Sequence, residues 1–533
     1  MSGVGKGIAS SSIGVLLKAR GFSVTALKID PYINVDAGTM NPTEHGEVFV
    51  LDDGDETDQD MGNYERFLNT SFSSLNYMTT GRVYQEVIGR ERNLEYKGKN
   101  VEVVPDIPLE VIRRIELASK KANSDITVVE IGGTVGEYQN IIFLEAARMM
   151  KSKYPKSVAF VMVSYLPIPS SIGEMKTKPT QTAARTLNSV GVQADIIIAR
   201  SLNHIDKKRK EKLALFCNIP ANQVISAPDV GSIYDVPINF EKDHLGQILS
   251  QVLGLPKRKA NFKEWNNFVR GTKNGKKVVH IAVVGKYFDS GDYTLSDVYI
   301  SVLEAMKFSA YSENIKPKLT YINSKDFESG KLGVDTLAQY DGLLVPGGFG
   351  SSGIEGIIQA ISYARKNNIP YFGLCYGMQL AVIEYARNVL GLKNAHTTEV
   401  NPKTKYPVID IMREQKGNLA SQNYGGTMRL GAWTAVLKKG SIARDAYGKE
   451  VISERHRHRY EVNPAFVGDL EKAGLVFSGT SKDRVLMEIV ELPRDVHPFF
   501  VATQFHPEFK ARPLDPHPLF TEFIKVASRK NRT

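Results

Sequence analysis

One cysteine carries the strongest chemical signal in this sequence. Cys375 lies in Pro370-Tyr371-Phe372-Gly373-Leu374-Cys375-Tyr376-Gly377-Met378-Gln379-Leu380-Ala381, where an apolar strand-like run meets a helix-forming one and glycines stand two residues to either side. This is the pattern of a nucleophile elbow with a thiol in place of the usual hydroxyl. The glycines permit a turn too tight for side chains, and the N-terminus of the helix behind it favours the thiolate that must attack. Upstream, Val345-Pro346-Gly347-Gly348-Phe349-Gly350 also ends a strand in glycines, whose N–H groups can meet an oxyanion beside the N–H of Tyr376. Far downstream comes Gln504-Phe505-His506-Pro507-Glu508-Phe509. In an extended segment residues i and i+2 project to one side, so Glu508 is expected to orient His506 as the base. Singly, these residues also read as a small core cysteine, a surface histidine and ordinary turns; jointly they read as a Cys-His-Glu triad.

Two further patterns bear on chemistry. In Glu454-Arg455-His456-Arg457-His458-Arg459-Tyr460-Glu461, strand alternation puts three arginines on one face and two histidines on the other. A metal site on those histidines is the weaker option, because carboxylate or cysteine ligands at suitable spacing are lacking. At the amino end, Ser2-Gly3-Val4-Gly5-Lys6-Gly7-Ile8-Ala9-Ser10-Ser11 looks like the end of a phosphate-binding loop, with glycines baring N–H groups, a lysine and then a helix. The Ser or Thr expected directly after the lysine is Gly7.

The elbow and its downstream partners resemble class I glutamine amidotransferases over about 276–533. That resemblance implies hydrolysis of glutamine to glutamate and ammonia through a thioester on Cys375, with His506 and Glu508 completing the triad. It implies a glutamine pocket made by Gly348, Tyr376, Gln379, Glu399 and Arg459. The amino-terminal strings Lys28 to Met40, Glu44 to Phe49, Asp52 to Asp60, Glu130 to Gly136 and Lys176-Thr177-Lys178-Pro179-Thr180-Gln181 closely resemble the CTP synthases, and the order of domains agrees over essentially the whole chain. In that family ATP phosphorylates the poor leaving group O4 of UTP, and ammonia then displaces phosphate to give CTP. The resemblance implies ATP held by Gly3, Gly5, Lys6, Gly7, Lys28, Asp60 and Asp229, and Mg²⁺ held by Asp60 and Glu130, since hard cations prefer carboxylate oxygen. It implies UTP or product CTP on Ser2, Glu137, Gln139, Lys176, Lys178, Gln181 and Lys212, with Arg200 a further nucleotide-site position, and an ammonia passage at His45 and Val48. It also implies GTP as allosteric activator, CTP as feedback inhibitor and a homotetramer.

Some residues depart from the family pattern. Glu137-Tyr138-Gln139-Asn140 stands where Asp-Ile-Glu-Ser is usual, so Gln139 replaces a carboxylate that would accept from a ribose hydroxyl without losing all acceptor capacity. Ser352 and Ile300 replace an arginine and a lysine in regions linked with GTP, whereas Gly425-Gly426-Thr427-Met428-Arg429-Leu430-Gly431 is intact. The family also carries an apolar strand and Gly-Gly ahead of the position of Ser2, so the sequence is expected to begin at an internal methionine or to be truncated. Two rival readings are another ATP-dependent amidotransferase of the cobyrinate amidase type, which leaves Lys176 to Gln181 unexplained, and an inactive filament-forming relative, which must treat the triad as a relic.

These residues need rigid elements to hold them. Near-continuous apolar runs at 23–29, 126–130, 158–163 and 194–199, separated by helix-length intervals, predict a parallel sheet buried on both faces. A second series follows at 278–284, 342–345, 371–374 and 499–503. The expectation is α/β throughout: two doubly wound parallel-sheet domains, a P-loop-like amidoligase over 1–255 that lacks its first strand and a flavodoxin-like glutaminase over 278–533, joined by a polar linker at 256–277. Composition agrees: 533 residues with 42% hydrophobic, 24% charged and a net charge of +10 exclude disorder, collagen and coiled coil as overall descriptions. The basic residues lie mostly among acidic ones and form no nucleic-acid-binding motif, the run Lys207 to Lys212 reads as a solvated helix face, and the excess of cations suits phosphorylated ligands. No apolar stretch approaches a membrane span and no secretory h-region opens the chain, so neither nucleic acid nor membrane is expected as a partner and the cytoplasm is the expected compartment. Two cysteines, Cys217 and Cys375, make no disulfide framework.

Overall fold

The computed structural model describes residues 3–287, 296–412 and 426–529. The chain divides into two compact units, the first made of Met1–Asp36 and Asn63–Val269, the second of Ala37–Gly62 and Arg270–Thr533.

In the first unit, Val24–Asp30 pairs in parallel with Tyr77–Thr79 on one side and Ile126–Ile131 on the other. Ile196–Ser201 is likewise the centre of a parallel sheet, between Val161–Tyr165 and Val224–Pro228. Ile196, Ile197 and Ile198 are all fully buried, the reason this strand reads as an unbroken apolar run. Helix Lys6–Lys18 presses Ala9, Ile13, Leu16 and Leu17 onto one face, and helix Lys178–Ser189 contributes Ala184 and Leu187 to the core on the other. Among the described residues Ile126–Ile131 and Val161–Tyr165 each pair on one side only, and Val128, Val161 and Val163 are only half-buried. The carboxy ends of these strands bring Lys28, Glu130, Arg200 and Asp229 to one edge of their sheets, where ligands of open α/β folds bind.

The second unit is built on nine strands in the order Ile315–Asn323, Lys277–Gly285, Gly342–Val345, Tyr371–Leu374, Phe500–Thr503, Met487–Leu492, Val476–Thr480, Arg429–Leu437 and Val451–His458. The first five run parallel, as expected of a doubly wound sheet; the last four continue it antiparallel. Helices Ile354–Lys366 and Tyr376–Asn388 bury their apolar residues in one large core with the parallel strands.

Two local features differ from the sequence expectation. Residues 256–277 include a helix, Lys263–Asn274, anchored by buried Trp265, whose indole donates to the Tyr234 carbonyl at 3.0 Å. Ala37–Gly62, inside the span read as amidoligase, groups with the second unit through an antiparallel hairpin, Val48–Val50 with Glu56–Asp58. Phe49, Val50 and Leu51 are fully buried, and the Phe49 ring meets Phe509 edge-on at 5.1 Å. Burying such a side chain is worth about 1.5–3 kcal/mol, which holds the hairpin where it is.

Candidate functional site

Cys375 sits at the sharp turn between strand Tyr371–Leu374 and helix Tyr376–Asn388, with φ 50° and ψ −97°. No ordinary residue relaxes there, and such strain is typical of a nucleophile elbow. The flanking glycines are sterically required: a Cβ on Gly377 would lie 2.5 Å from the Val345 carbonyl oxygen, and one on Gly373 would lie 2.9 Å from the Gly377 carbonyl carbon. The Met378 and Gln379 N–H groups close the first turn of the helix on the Cys375 carbonyl at 3.0 and 3.2 Å, so the thiol stands at the helix N-terminus. A Cβ on Gly347 would come 2.8 Å from His506 Cε1 and 3.7 Å from Cys375 Cβ, so that glycine leaves the gap between nucleophile and base open.

His506 Nδ1–H donates to Glu508 Oε1 at 2.7 Å. The reason differs from the expected one. The segment is not extended; His506 caps the 3₁₀ turn Pro507–Lys510, and that turn carries Glu508 back under the ring. The imidazole also stacks on Phe509 at 5.0 Å. Burial alone would lower the His506 pKa, but the Glu508 carboxylate and the Cys375 thiolate raise it above its ordinary value, favouring an imidazolium.

Of the residues expected to hold glutamine, Gly348, Tyr376, Gln379 and Glu399 make contacts around the elbow, together with Gln504 and Lys286. Glu399 accepts from the Gly350 N–H at 2.8 Å; burial raises its pKa, against the pull of that N–H and of the Lys286 ammonium. Gln379 donates to the Tyr460 carbonyl at 2.8 Å and to Gln504 Oε1 at 3.4 Å, and Gln504 in turn approaches Cys375 Sγ at 3.7 Å. Tyr376 OH donates to the Gly350 carbonyl at 2.8 Å, and Gly348 packs against Lys286 and Tyr376. Arg459 donates to Thr427 Oγ1 at 2.9 Å. Lys286, which sequence reasoning missed, donates to the Phe349 carbonyl at 2.6 Å, and burial lowers its pKa to about 8 against the opposing pull of Glu399. Its signal was a lone lysine just past a long apolar strand, 277–285, at the carboxy edge of a parallel sheet.

The expected alternation holds only as far as His458: strand Val451–His458 ends there, and Arg459 is a bend before strand Tyr460–Val462 of another sheet. Arg455 and Arg457 share a face: Arg455 Nε donates to Asp52 at 2.6 Å and its NH1 to the Val50 carbonyl at 3.0 Å, while Arg457 Nε donates to Glu56 at 2.8 Å. On the opposite face His456 Nδ1 lies 2.9 Å from His458 Nε2 in a buried group with Arg429, Glu461 and Glu488, and burial together with Arg429 keeps both imidazoles neutral. Among the described residues no three His, Cys, Asp or Glu side chains gather as a metal site. Val48 is buried on the hairpin, whereas His45 is exposed at the end of a single helical turn. Ile300 begins helix Ile300–Ser312, and Gly425 falls outside the described residues.

In the first unit Gly3 and Gly5 take positive φ, 68° and 85°, leading into helix Lys6–Lys18, and Lys6 Nζ donates to the Gly133 carbonyl at 3.1 Å. Gly7 is buried in the first turn. Lys28 and Glu130 are register partners on adjacent strands, with Nζ 3.2 Å from Oε1, and Tyr64 OH donates to the other carboxylate oxygen. Asp30 stands 3.5 Å from the same ammonium. Glu130 and Asp30 carry the carboxylate oxygens that a hard divalent cation prefers, and in this structure both face the Lys28 ammonium. Asp60 belongs to the second unit, at the start of helix Asp60–Leu68. Arg200 NH2 pairs with Asp229 at 2.9 Å, and its Nε lies 3.7 Å from where a Cβ on Gly5 would be.

Of the pyrimidine-site candidates, Lys178 and Lys212 are exposed on helices Lys178–Ser189 and Lys207–Cys217, and Lys178 Nζ stands 6.0 Å from the exposed Phe216 ring, one turn beyond Lys212. Sequence reasoning passed over Phe216; an aromatic four residues past that basic run was the available signal. Lys176 pairs with Glu174 at 2.6 Å, Gln181 is buried and donates to Thr177 at 3.1 Å, and Glu137 accepts from the Thr134 N–H at 2.9 Å, a bond that lowers its pKa. Gln139 is exposed in the 3₁₀ turn Tyr138–Asn140, and Ser2 lies outside the described residues.

An elbow thiol, a Glu-oriented histidine and a glycine-bounded pocket on a parallel sheet define a class I glutamine amidotransferase, and residues 294–526 match the model of that family, "Glutamine amidotransferase class-I". Residues 1–255 match "CTP synthase N-terminus". The chain is 50% identical over 532 residues to the CTP synthase of Thermococcus gammatolerans, covering 99% of this chain and 97% of that one. It is 51% identical over 529 residues to that of Pyrococcus abyssi (99% and 96%) and 48% identical over 529 residues to that of Sulfurisphaera tokodaii (99% and 98%). Among solved structures, the glutaminase domain of Trypanosoma brucei CTPS with bound acivicin is 38% identical over 48% of this chain and 96% of its own, with a TM-score of 0.43. The chain belongs to the CTP synthase family.

Proposed function

We propose that this chain aminates UTP to CTP in an ATP-dependent reaction, with ammonia that its second unit releases from glutamine. The observation that carries the reading is the Cys375–His506–Glu508 constellation on a strained elbow, in a chain that matches CTP synthases over 99% of its length. The Cys375 thiolate attacks the side-chain amide carbon of glutamine, and N–H groups at Gly348 and Tyr376 receive the oxyanion. The His506 imidazolium passes its proton to the departing ammonia, leaving a thioester. Water, deprotonated by His506, then releases glutamate. Glu399 and Arg459 hold the charged α-amino and carboxylate ends of the substrate, and Gln379 with Gln504 lines its amide end.

In the first unit the glycines before Lys6 cradle ATP phosphates, with Lys6 and Lys28 as cations. Phosphoryl transfer to O4 of UTP turns it into a leaving group, and ammonia replaces it at C4 with release of phosphate. Asp60 and Glu130 would hold Mg²⁺, which supplies charge neutralisation for the transferring phosphoryl group. Lys176, Lys178, Gln181 and Lys212 hold the pyrimidine nucleotide, with Phe216 available to the base face. The hairpin carrying Val48 packs through Phe49 on Phe509, the ring beneath His506, which supports an ammonia route past His45 and Val48. GTP activation, CTP feedback inhibition, a homotetramer and a cytoplasmic location complete the proposal; among the described residues no helix is long and apolar enough to cross a membrane. The test is incubation with UTP, ATP, Mg²⁺ and glutamine: CTP should form, and omission of UTP should leave only glutaminase turnover. ATP-dependent consumption of glutamine without CTP would favour another amidotransferase.

A further inference from the structure

The second unit contains a cavity of about 360 Å³ that the glutaminase chemistry does not use. It lies between the last turn of helix Tyr376–Asn388 and the loop joining strands Ala395–Thr397 and Tyr406–Ile411. Its size falls within the roughly 300–1,000 Å³ of small-molecule sites. Eleven residues of helix separate Arg387 from Tyr376, about 17 Å at 1.5 Å per residue, so the cavity is distinct from the Cys375 pocket.

Its charged lining is cationic, Arg387, Lys393, Lys403 and Lys405, beside His396 and the neutral Asn394, Asn401 and Thr404. Arg387 is largely buried and rigidly held: Nε donates to the Ala395 carbonyl at 2.7 Å and NH1 to both oxygens of Glu355 at 3.0 and 2.8 Å. That leaves the two N–H groups of NH2 without a protein acceptor among the described residues. His396 Nδ1 accepts the Thr397 N–H at 2.9 Å, which places the ring proton on Nε2, a second donor with no protein acceptor there. Lys393, Lys403 and Lys405 complete the wall, and none has a carboxylate partner among the described residues. No Asp or Glu lines the cavity, and both oxygens of Glu355 hold Arg387. Three exposed ammonium groups, a clamped guanidinium and an oriented imidazole N–H line one recess that has no carboxylate in its wall, a set that matches the oxygen-rich surface of one chemical group.

We propose that this cavity binds a phosphate-bearing anion. Inorganic phosphate and the polyphosphate tail of a nucleotide share the chemistry recognised here. The site adjoins the glutamine pocket in sequence, because the loop that carries Lys403 and Lys405 also carries Glu399, the partner of the Gly350 N–H. An occupant would therefore act on the shape of the glutaminase pocket from its far side.

The experiment follows the His396 ring by NMR in the full-length protein, with the resonance assigned by its loss in His396→Gln. Inorganic phosphate, pyrophosphate and ATP are titrated separately. The His396 signal should shift saturably with at least one of them, and its pKa, now lowered by burial and by Arg387, should rise when the anion binds. In the double variant Lys393→Ala, Lys403→Ala, two exposed changes that leave the core untouched, the midpoint should weaken by about tenfold. Equal midpoints for pyrophosphate and ATP identify a phosphate-only site, whereas a tighter ATP midpoint identifies a nucleotide; both support the proposal. A His396 signal that none of the three moves, or a midpoint that the double variant leaves unchanged, overturns it.

Discussion

Arg455→Met tests how the early hairpin is joined to the glutaminase unit. The Arg455 side chain is fully buried; it donates to Asp52 at 2.6 Å, to the Val50 carbonyl at 3.0 Å and to the Phe509 carbonyl at 3.3 Å, and it lies 5.4 Å from the Phe49 ring centre. Removing one partner of a buried ion pair costs about 3–5 kcal/mol, because the other charge is left uncompensated. Asp52 is 38% exposed and keeps Lys510 at 3.5 Å, so it can rehydrate, and the lower end applies. Methionine replaces much of the lost packing around Phe49 and Phe509. A local cost of about 3 kcal/mol corresponds to about a hundredfold in the opening equilibrium of residues 48–58. Amide exchange there, read by mass spectrometry, should accelerate by that factor while the strand 371–374 keeps its protection. If ammonia passes this hairpin, CTP formed per glutamine hydrolysed should fall below that of the unaltered protein, with glutaminase itself largely retained. Unchanged exchange in 48–58 would refute the clamp, and faster exchange with unchanged coupling would refute its part in ammonia passage.

Glu508→Gln removes the carboxylate that raises the His506 pKa and should lower glutaminase kcat by about 10²–10⁴-fold while leaving ammonia-dependent synthesis. Because the folded His506 pKa is raised, its contribution to stability is complete below the ordinary value of 6.5 and disappears as pH rises through the folded value; Tm against pH should lose that alkaline decline in the variant. Lys286 is the opposite case: its folded pKa of about 8 lies below the ordinary 10.5, the unfolded chain binds more protons between them, and stability should rise across that interval, a rise Lys286→Met abolishes while raising KM for glutamine. Gln139→Glu should tighten CTP inhibition several-fold, since one charge-assisted bond is worth about 1 kcal/mol more than the amide supplies; identical inhibition curves would discount that residue.

Much of this was legible in the sequence for physical reasons. Strands buried on both faces must be apolar throughout, so 196–201 and 371–374 announce themselves, and an elbow needs glycine where Gly373 and Gly377 stand. What was hidden depends on partners remote in the chain. Asp52 and Glu56 sit in a string of acids that reads as a solvated loop, and only folding shows that Arg455 and Arg457, some four hundred residues on, neutralise them. Hence the hairpin was assigned with its sequence neighbours rather than with the unit it packs into. Lys286 was missed because nothing local distinguishes a lysine that will be buried from one that stays in water. Glu508 was placed correctly for the wrong reason, since a proline at 507 turns the chain instead of extending it.

One chain divides the labour in this reading, with ammonia made at Cys375 and used elsewhere. Its most direct test is CTP formation by Cys375→Ala with UTP, ATP and Mg²⁺, supplied either with glutamine or with ammonium chloride. The thiol serves only ammonia release, so glutamine-dependent synthesis should vanish while ammonia-dependent synthesis proceeds at the rate of the unaltered protein; equal loss of both activities, or survival of the glutamine-dependent one, would contradict the account.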